Sequence, residues 1–88
     1  MKRVNVELGG KNPLIVFDDA NIEKAAGKVF GYGFANSGQL CVAPSRIFVH
    51  ESIYDSFVAQ VMGIAQAAVK LGKFDEEGVS HGPVISKG

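Results

Sequence analysis

Two short apolar runs alternate with two longer helical patterns along the chain. Residues 14–17 (Leu-Ile-Val-Phe) are rich in β-branched and aromatic side chains and lie between turn residues. Such a run is typical of a strand buried on both faces, as in parallel sheets. Residues 46–50 (Arg-Ile-Phe-Val-His) form a second strand candidate. Residues 4–6 (Val-Asn-Val) alternate in polarity, which is compatible with the end of a further short strand.

The first helical pattern lies between the two strand candidates. Apolar residues recur at helical spacing and predict a helix over about residues 22–35. Asn21 is a favourable N-cap, and Glu23 in the first turn suits the positive end of the helix dipole. Residues 36–38 (Asn-Ser-Gly) end the helix, with glycine giving the backbone freedom that a helix exit needs.

The second helical pattern begins near residues 51–52 and ends near Lys70 and Gly72. Its apolar stripe, at spacings of three and four, consists of Ile53, Phe57, Val61, Ile64, Ala65 and Ala68. Residues 74–88 are glycine-rich and weakly patterned, so we expect a loop there.

The order of these elements predicts an α/β fold with a partial parallel sheet and helical crossovers. Residues 14–49 fit one βαβ unit, which makes its two strands parallel. A sheet of so few strands exposes apolar faces and unpaired edges, so we expect it to need more chain to cover it.

Composition narrows the class of protein. The chain has 88 residues, of which 47% are hydrophobic, and this can support a core. Nine basic and nine acidic residues give no net charge, which argues against non-specific binding to nucleic acid or an anionic membrane. A single cysteine excludes an intrachain disulfide. No apolar run approaches the length of a membrane span or a signal peptide, so we expect a soluble, cytoplasmic protein.

Two residues are candidates for chemistry. Cys41 follows the first helix in a loop, where backbone N–H groups can stabilise a thiolate, although a single cysteine is more often an inert, small apolar residue. Glu7 follows the possible strand at residues 4–6, and carboxylates at strand ends in α/β folds often face a ligand crevice. The alternative for Glu7 is a solvated surface acid.

Other motifs in the sequence indicate neither a phosphate-binding loop nor a metal site. The Gly-Gly-Lys sequence at residues 9–11 lacks the upstream glycine and the following Ser or Thr of a phosphate-binding loop. His50 and His81 have no neighbouring ligands at metal-binding spacing, so we expect no metal site and assign both to surface or capping roles.

Two longer motifs resemble the signatures of one enzyme superfamily. Residues 7–13 (Glu-Leu-Gly-Gly-Lys-Asn-Pro) are similar to the sequence around the catalytic glutamate of aldehyde dehydrogenases. Residues 34–46 (Phe-Ala-Asn-Ser-Gly-Gln-Leu-Cys-Val-Ala-Pro-Ser-Arg) resemble the cysteine signature of the same family. The order of the motifs and their spacing also fit, and the resemblance runs over the whole chain.

The resemblance implies roles for five residues. Cys41 would attack an aldehyde carbonyl, with its own backbone N–H helping to stabilise the oxyanion. Hydride would pass to NAD or NADP and leave a thioester on Cys41, which Glu7 would hydrolyse as the general base for water. Leu8 would lie near the nicotinamide ring, and Leu40 and Val42 would line the substrate tunnel.

The resemblance also implies a division of the enzyme. Residues 1–88 would be the N-terminal part of the catalytic domain, with the Rossmann-type cofactor domain and the C-terminal remainder absent. We therefore expect the isolated chain to be inactive, its parent enzyme to be a homo-oligomer, and a small aldehyde to be the substrate. Two alternatives remain open: a non-catalytic remnant that serves as an interaction or structural module, and a stand-alone cysteine hydrolase, which lacks a recognisable histidine partner.

Overall fold

Two parallel strands and two α-helices form the regular structure of residues 1–87. The computed structural model describes residues 1–87. The strands are β1 (Pro13–Val16) and β2 (Arg46–Val49), and the helices are α1 (Ile22–Gly33) and α2 (Tyr54–Ala68). Short 3₁₀ turns at Ala35–Gly38 and Glu51–Ile53 follow α1 and precede α2.

The predicted βαβ unit is confirmed. Strands β1 and β2 pair in parallel, in a register that runs from Pro13 opposite Arg46 to Val16 opposite Val49. Helix α1 makes the crossover between them. The two strands thus begin side by side at the same edge of the sheet.

Local capping explains where α1 begins. The side chain of Asn21, the predicted N-cap, accepts a hydrogen bond of 2.9 Å from the backbone N–H of Lys24. The helix ends at Gly33, two residues earlier than predicted, because Asn36 and Ser37 adopt left-handed backbone angles that no α-helix continues through.

Helix α2 is preceded by a capping interaction that involves His50. Nδ1 of His50 accepts a hydrogen bond of 3.3 Å from the backbone N–H of Ser52, in agreement with the predicted capping role. The first turn is 3₁₀, so α2 begins at Tyr54 rather than at residues 51–52.

The core lies where the two helices meet one face of the sheet. Val16, Ala26, Val29 and Phe57 are buried together. Partly buried apolar residues surround them, namely Leu14, Ala20, Ile22, Ala25, Val49, Ile53, Val61 and Ile64. The apolar stripes predicted for the helices therefore supply the interior contacts.

Two strand predictions are wrong. β1 is not buried on both faces, because its Ile15 is 62% exposed and Phe48 beside it on β2 is 56% exposed. Both helices pack on the other face, so within residues 1–87 nothing covers this one. Residues 4–6 form no strand, since they find no strand to pair with in this part of the chain.

The segment after α2 is a loop held by hydrogen bonds, as predicted for residues 74–87, while Gly88 lies outside the described residues. Ser80 Oγ donates to the carbonyl of Ala68 at 3.0 Å and accepts from the backbone N–H of Lys70 at 2.8 Å. An isolated parallel bridge joins Leu71 and His81. No helix among residues 1–87 is long and apolar enough to cross a bilayer.

Phe57 is the main apolar anchor of α2 and is only 3% exposed. We expect Phe57→Ala to lower the free energy of unfolding by about 3–5 kcal/mol, because it removes buried apolar surface and leaves a cavity. Tyr54→Ala on the same helix, where the ring is 54% exposed, is the matched control and should cost far less. Urea denaturation followed by circular dichroism measures both, and equal losses would place Phe57 outside the core.

Candidate active site

The parallel register brings the two signature motifs together. The glutamate motif ends at Pro13, the first residue of β1, and the cysteine motif ends at Arg46, the first residue of β2. Because Pro13 lies opposite Arg46, the loops that precede the two strands emerge at one edge of the sheet. The candidate site therefore lies before the amino ends of the strands, and the expectation that Glu7 follows a strand is wrong.

A reversal of the chain leads from α1 to Cys41. Three consecutive residues, Asn36, Ser37 and Gly38, have φ angles of 50°, 58° and 75°. A side chain at position 38 would place its Cβ 3.2 Å from the carbonyl oxygen of Gly33, a tight contact, so glycine is favoured there by its φ angle and by the space available. This tight exit from the helix was predicted from the Asn-Ser-Gly sequence.

Cys41 sits at the corner of a β-turn. The backbone N–H of Ala43 donates a hydrogen bond of 3.1 Å to the carbonyl of Leu40, which makes Cys41 and Val42 the central residues of the turn. We call residues 40–43 the cysteine turn. The Cys41 thiol is free and exposed, whereas Ala43 is buried. Cys41 is therefore not the small buried apolar residue of the alternative interpretation.

The side chain of Asn12 binds the cysteine turn directly. Its Nδ2 atom donates hydrogen bonds to the carbonyl of Cys41 at 2.7 Å and to that of Ala43 at 2.9 Å. The backbone carbonyl of Asn12 accepts from the N–H of Ser45 at 3.2 Å. Asn12, in the glutamate motif, therefore makes hydrogen bonds to three residues of the cysteine motif.

Lys11 adds two further links between the motifs. Its backbone carbonyl accepts a hydrogen bond from Ser45 Oγ at 2.7 Å and one from Arg46 Nη1 at 3.3 Å. Together with the Asn12 contacts, these bonds hold the end of the glutamate motif against the segment that follows Cys41.

Glu7 and Leu8 are less constrained than Cys41. Both belong to residues 1–10, all of which are exposed, and Leu8 is 76% exposed. None of the hydrogen bonds that join the motifs within residues 1–87 uses the Glu7 carboxylate. The structure brings Lys11 and Asn12, at the end of the glutamate motif, to the cysteine motif without fixing the acid itself.

An open groove runs beside the cysteine turn. Val42, one of the two predicted substrate-contacting residues, lines it together with Asn12, Leu14, Tyr32 and Pro44. The other, Leu40, is 39% exposed and is not part of this groove. Tyr32 was missed in the sequence because its position on α1 indicated no more than a helical residue.

His81, in the loop that follows α2, contacts the C-terminal end of α1. Its Nε2 lies 2.9 Å from the carbonyl oxygen of Phe34, and since a carbonyl only accepts, this nitrogen carries the proton. The rings of Phe34 and His81 also meet edge to face, with centroids 6.5 Å apart. The loop after α2 is therefore hydrogen-bonded to the end of α1 that leads to the cysteine turn. The two residues in this contact are 47 positions apart in the sequence.

Known proteins with the same sequence pattern are aldehyde dehydrogenases. The chain is 47% identical over 87 residues to succinate-semialdehyde dehydrogenase [NADP(+)] 1 of Schizosaccharomyces pombe, covering 99% of this chain and 17% of that protein. It is 48% identical to cytosolic aldehyde dehydrogenase 1 of Rattus norvegicus over the same shares of the two chains.

Solved structures agree. The fold matches an aldehyde dehydrogenase of Brucella melitensis biovar abortus with a TM-score of 0.84 at 38% identity, covering 92% of this chain and 17% of that one. It also matches betaine aldehyde dehydrogenase of Staphylococcus aureus, solved in complex with NAD⁺, with a TM-score of 0.78 at 43% identity over 92% and 16% of the two chains.

The family profile described as "Aldehyde dehydrogenase family" matches residues 1–88. This chain belongs to the aldehyde dehydrogenase family, as its two motifs indicated. It spans about 17% of the length of the curated relatives it matches.

Because Cys41 is exposed, we expect its thiol to react readily with reagents in solution. An aromatic disulfide reagent should modify one thiol per native chain, at a rate within about tenfold of the rate in denaturant. The matched control is the double variant Cys41→Ser/Ala43→Cys, which moves the thiol to the buried end of the same turn and should react at least about tenfold more slowly when native. Equal native rates for the two thiols would contradict the described turn.

Proposed function

We propose that this chain contributes the nucleophile and the general base of an NAD(P)-dependent aldehyde dehydrogenase that oxidises an aldehyde to a carboxylic acid. The observation that carries the proposal is the pair of hydrogen bonds from Asn12 to the cysteine turn, which joins the two signature motifs. Membership of the family and the exposed Cys41 thiol support it further.

Cys41 is the proposed nucleophile. Its sulfur attacks the aldehyde carbonyl carbon as the thiolate, so that a C–S bond forms, the C=O π bond breaks and the carbonyl oxygen becomes an oxyanion. Within residues 1–87, the backbone N–H of Cys41 donates to no protein group, so it is available to that oxyanion. A turn corner therefore offers both the attacking atom and a donor for the charge that develops.

Glu7 is the proposed general base. Its carboxylate takes a proton from the water that hydrolyses the Cys41 thioester and so releases the acid product. Because the Glu7 side chain is exposed and belongs to residues 1–10, it can approach Cys41 without disturbing the core. The anchored end of the motif, at Lys11 and Asn12, limits how far the acid can move from the turn.

NAD or NADP, when bound, supplies the acceptor for the hydride, which leaves the former aldehyde carbon and so converts the Cys41 adduct into the thioester. Leu8 is the proposed contact to the nicotinamide, but residues 1–10 are all exposed and do not by themselves enclose a dinucleotide. We therefore propose that residues 1–88 are the N-terminal part of a catalytic domain and that other parts of the enzyme hold the cofactor. Leu40 and Val42 are the proposed substrate contacts, with Val42 in the groove beside Cys41.

The proposal is tested by exchanging segments. The matched 87-residue segment of the rat cytosolic aldehyde dehydrogenase is replaced by the corresponding residues of this chain, and reduction of NAD or NADP is followed with an aldehyde. We expect an active chimera in which Cys41→Ser lowers kcat by at least about 10³-fold. Glu7→Gln should lower steady-state turnover by about 10²–10⁴-fold yet leave a first burst of reduced cofactor, because it blocks only hydrolysis of the thioester.

The control for Glu7→Gln is Glu51→Gln, which neutralises an exposed acid outside both motifs and should leave turnover unchanged. An active chimera that tolerates Cys41→Ser would overturn the proposed nucleophile. A Glu7→Gln chimera that turns over normally would overturn the proposed base.

A second candidate function is an interaction module. The observation in its favour is the uncovered apolar face of the sheet, where Ile15, Phe17 and Phe48 are 62%, 63% and 56% exposed. We expect the isolated 88 residues to reduce no NAD or NADP with an aldehyde. Gel filtration then separates the two candidates, since a compact and defined oligomer supports the module, whereas a monomer supports an enzyme segment whose open sheet face awaits the remainder of its own chain.

A further inference from the structure

Asn12 satisfies two requirements at once. Its φ angle of 39° lies in the left-handed region, which asparagine and glycine adopt more readily than other residues. Its side-chain amide has two N–H hydrogens, and the structure uses both, on the carbonyls of Cys41 and Ala43. Glycine meets only the first requirement, and aspartate lacks the donors that the second needs.

The two accepting carbonyls control the shape of the cysteine turn. The carbonyl of Cys41 belongs to the peptide plane between the two corner residues, so holding it fixes the ψ angle of Cys41. The carbonyl of Ala43 belongs to the peptide plane between Ala43 and Pro44, directly after the turn, and the turn itself is closed by the bond of 3.1 Å from the Ala43 N–H to the Leu40 carbonyl. Because Asn12 holds one plane inside the turn and one directly after it, rotation of the Cys41 backbone breaks at least one of these three hydrogen bonds.

Gly10 leaves the space that the amide occupies. A Cβ added at position 10 would lie 2.6 Å from Oδ1 and 3.5 Å from Cγ of Asn12. At Gly9, by contrast, an added Cβ would meet nothing within 4 Å. Because the amide is the end of a rotatable side chain, alanine at position 10 would displace it at little cost in stability and would break its hydrogen bonds to the turn.

We propose that Asn12 is a positioning residue, which fixes the direction of the Cys41 backbone and thiol, and that Gly10 is the space that lets its amide do so. For its catalytic consequence this rests on the proposed role of Cys41 as nucleophile. The two neighbouring glycines of the motif thereby acquire different functions, since only Gly10 faces the amide.

Cys41 is the single cysteine of the sequence, so a nitroxide spin label attached to it reports the motion of the turn. The label is placed on the full 88-residue chain, and electron paramagnetic resonance spectra are recorded for six forms. These are the unsubstituted chain, Asn12→Asp, Asn12→Gly, Gly10→Ala, Gly9→Ala and the double variant Gly10→Ala/Asn12→Asp. Circular dichroism and the thermal midpoint of each form show whether the fold is retained.

We expect Asn12→Asp, Asn12→Gly and Gly10→Ala each to shorten the rotational correlation time of the label about threefold, because the turn gains loop motion. Gly9→Ala should leave the spectrum unchanged. The double variant Gly10→Ala/Asn12→Asp should be no more mobile than either single variant, since all of them remove the same contact.

Unchanged spectra in Asn12→Asp and Gly10→Ala, with the fold retained, would overturn the inference. So would equal effects of Gly9→Ala and Gly10→Ala, which would show a general response of the glycine segment. A lost fold in Gly10→Ala would also contradict it, because the displaced group is only a side-chain amide. The spectra need no turnover, so they stand whether or not Cys41→Ser abolishes activity in the chimera.

Discussion

The two hydrogen bonds from the amide of Asn12 to the cysteine turn hold the candidate site together. They join Asn12, which lies in the irregular segment before β1, to the cysteine turn, which lies between α1 and β2. A side-chain amide suits this task because one nitrogen offers two donors at a fixed angle. Each such bond adds only about 1 kcal/mol to stability, so its main effect here is geometric: it decides where the backbone of Cys41 points.

The fold makes these bonds possible by aligning the two motifs. Parallel pairing of Pro13 with Arg46 starts both strands at the same edge of the sheet, and the core of Val16, Ala26, Val29 and Phe57 fixes that register. A shift of one residue would turn Val16 out of the core, so packing far from the site keeps Asn12 opposite the turn. His81 adds a hydrogen bond to the carbonyl of Phe34, at the C-terminal end of α1.

Much of this architecture could be predicted from the sequence, because the helices and strands follow local patterns. The apolar stripe with Phe57, the cap at Asn21 and the exit at Gly38 are all encoded by near neighbours. The role of Asn12 could not be predicted, since Asn-Pro indicates only a turn and its partners lie 29 and 31 positions away. The exposure of the sheet face at Ile15 could not be predicted either, because the burial of a strand depends on which distant parts of the chain pack against it.

Nuclear magnetic resonance tests the central contact most directly, through scalar couplings transmitted across hydrogen bonds. In the uniformly ¹⁵N- and ¹³C-labelled chain, Nδ2 of Asn12 should show couplings to the carbonyl carbons of both Cys41 and Ala43, because both bonds are shorter than 3 Å. Couplings along the backbone of α1 provide the internal reference. If those are observed while neither Asn12 coupling appears, and the Asn12 amide hydrogens exchange as fast as those of an exposed side chain, the account is contradicted.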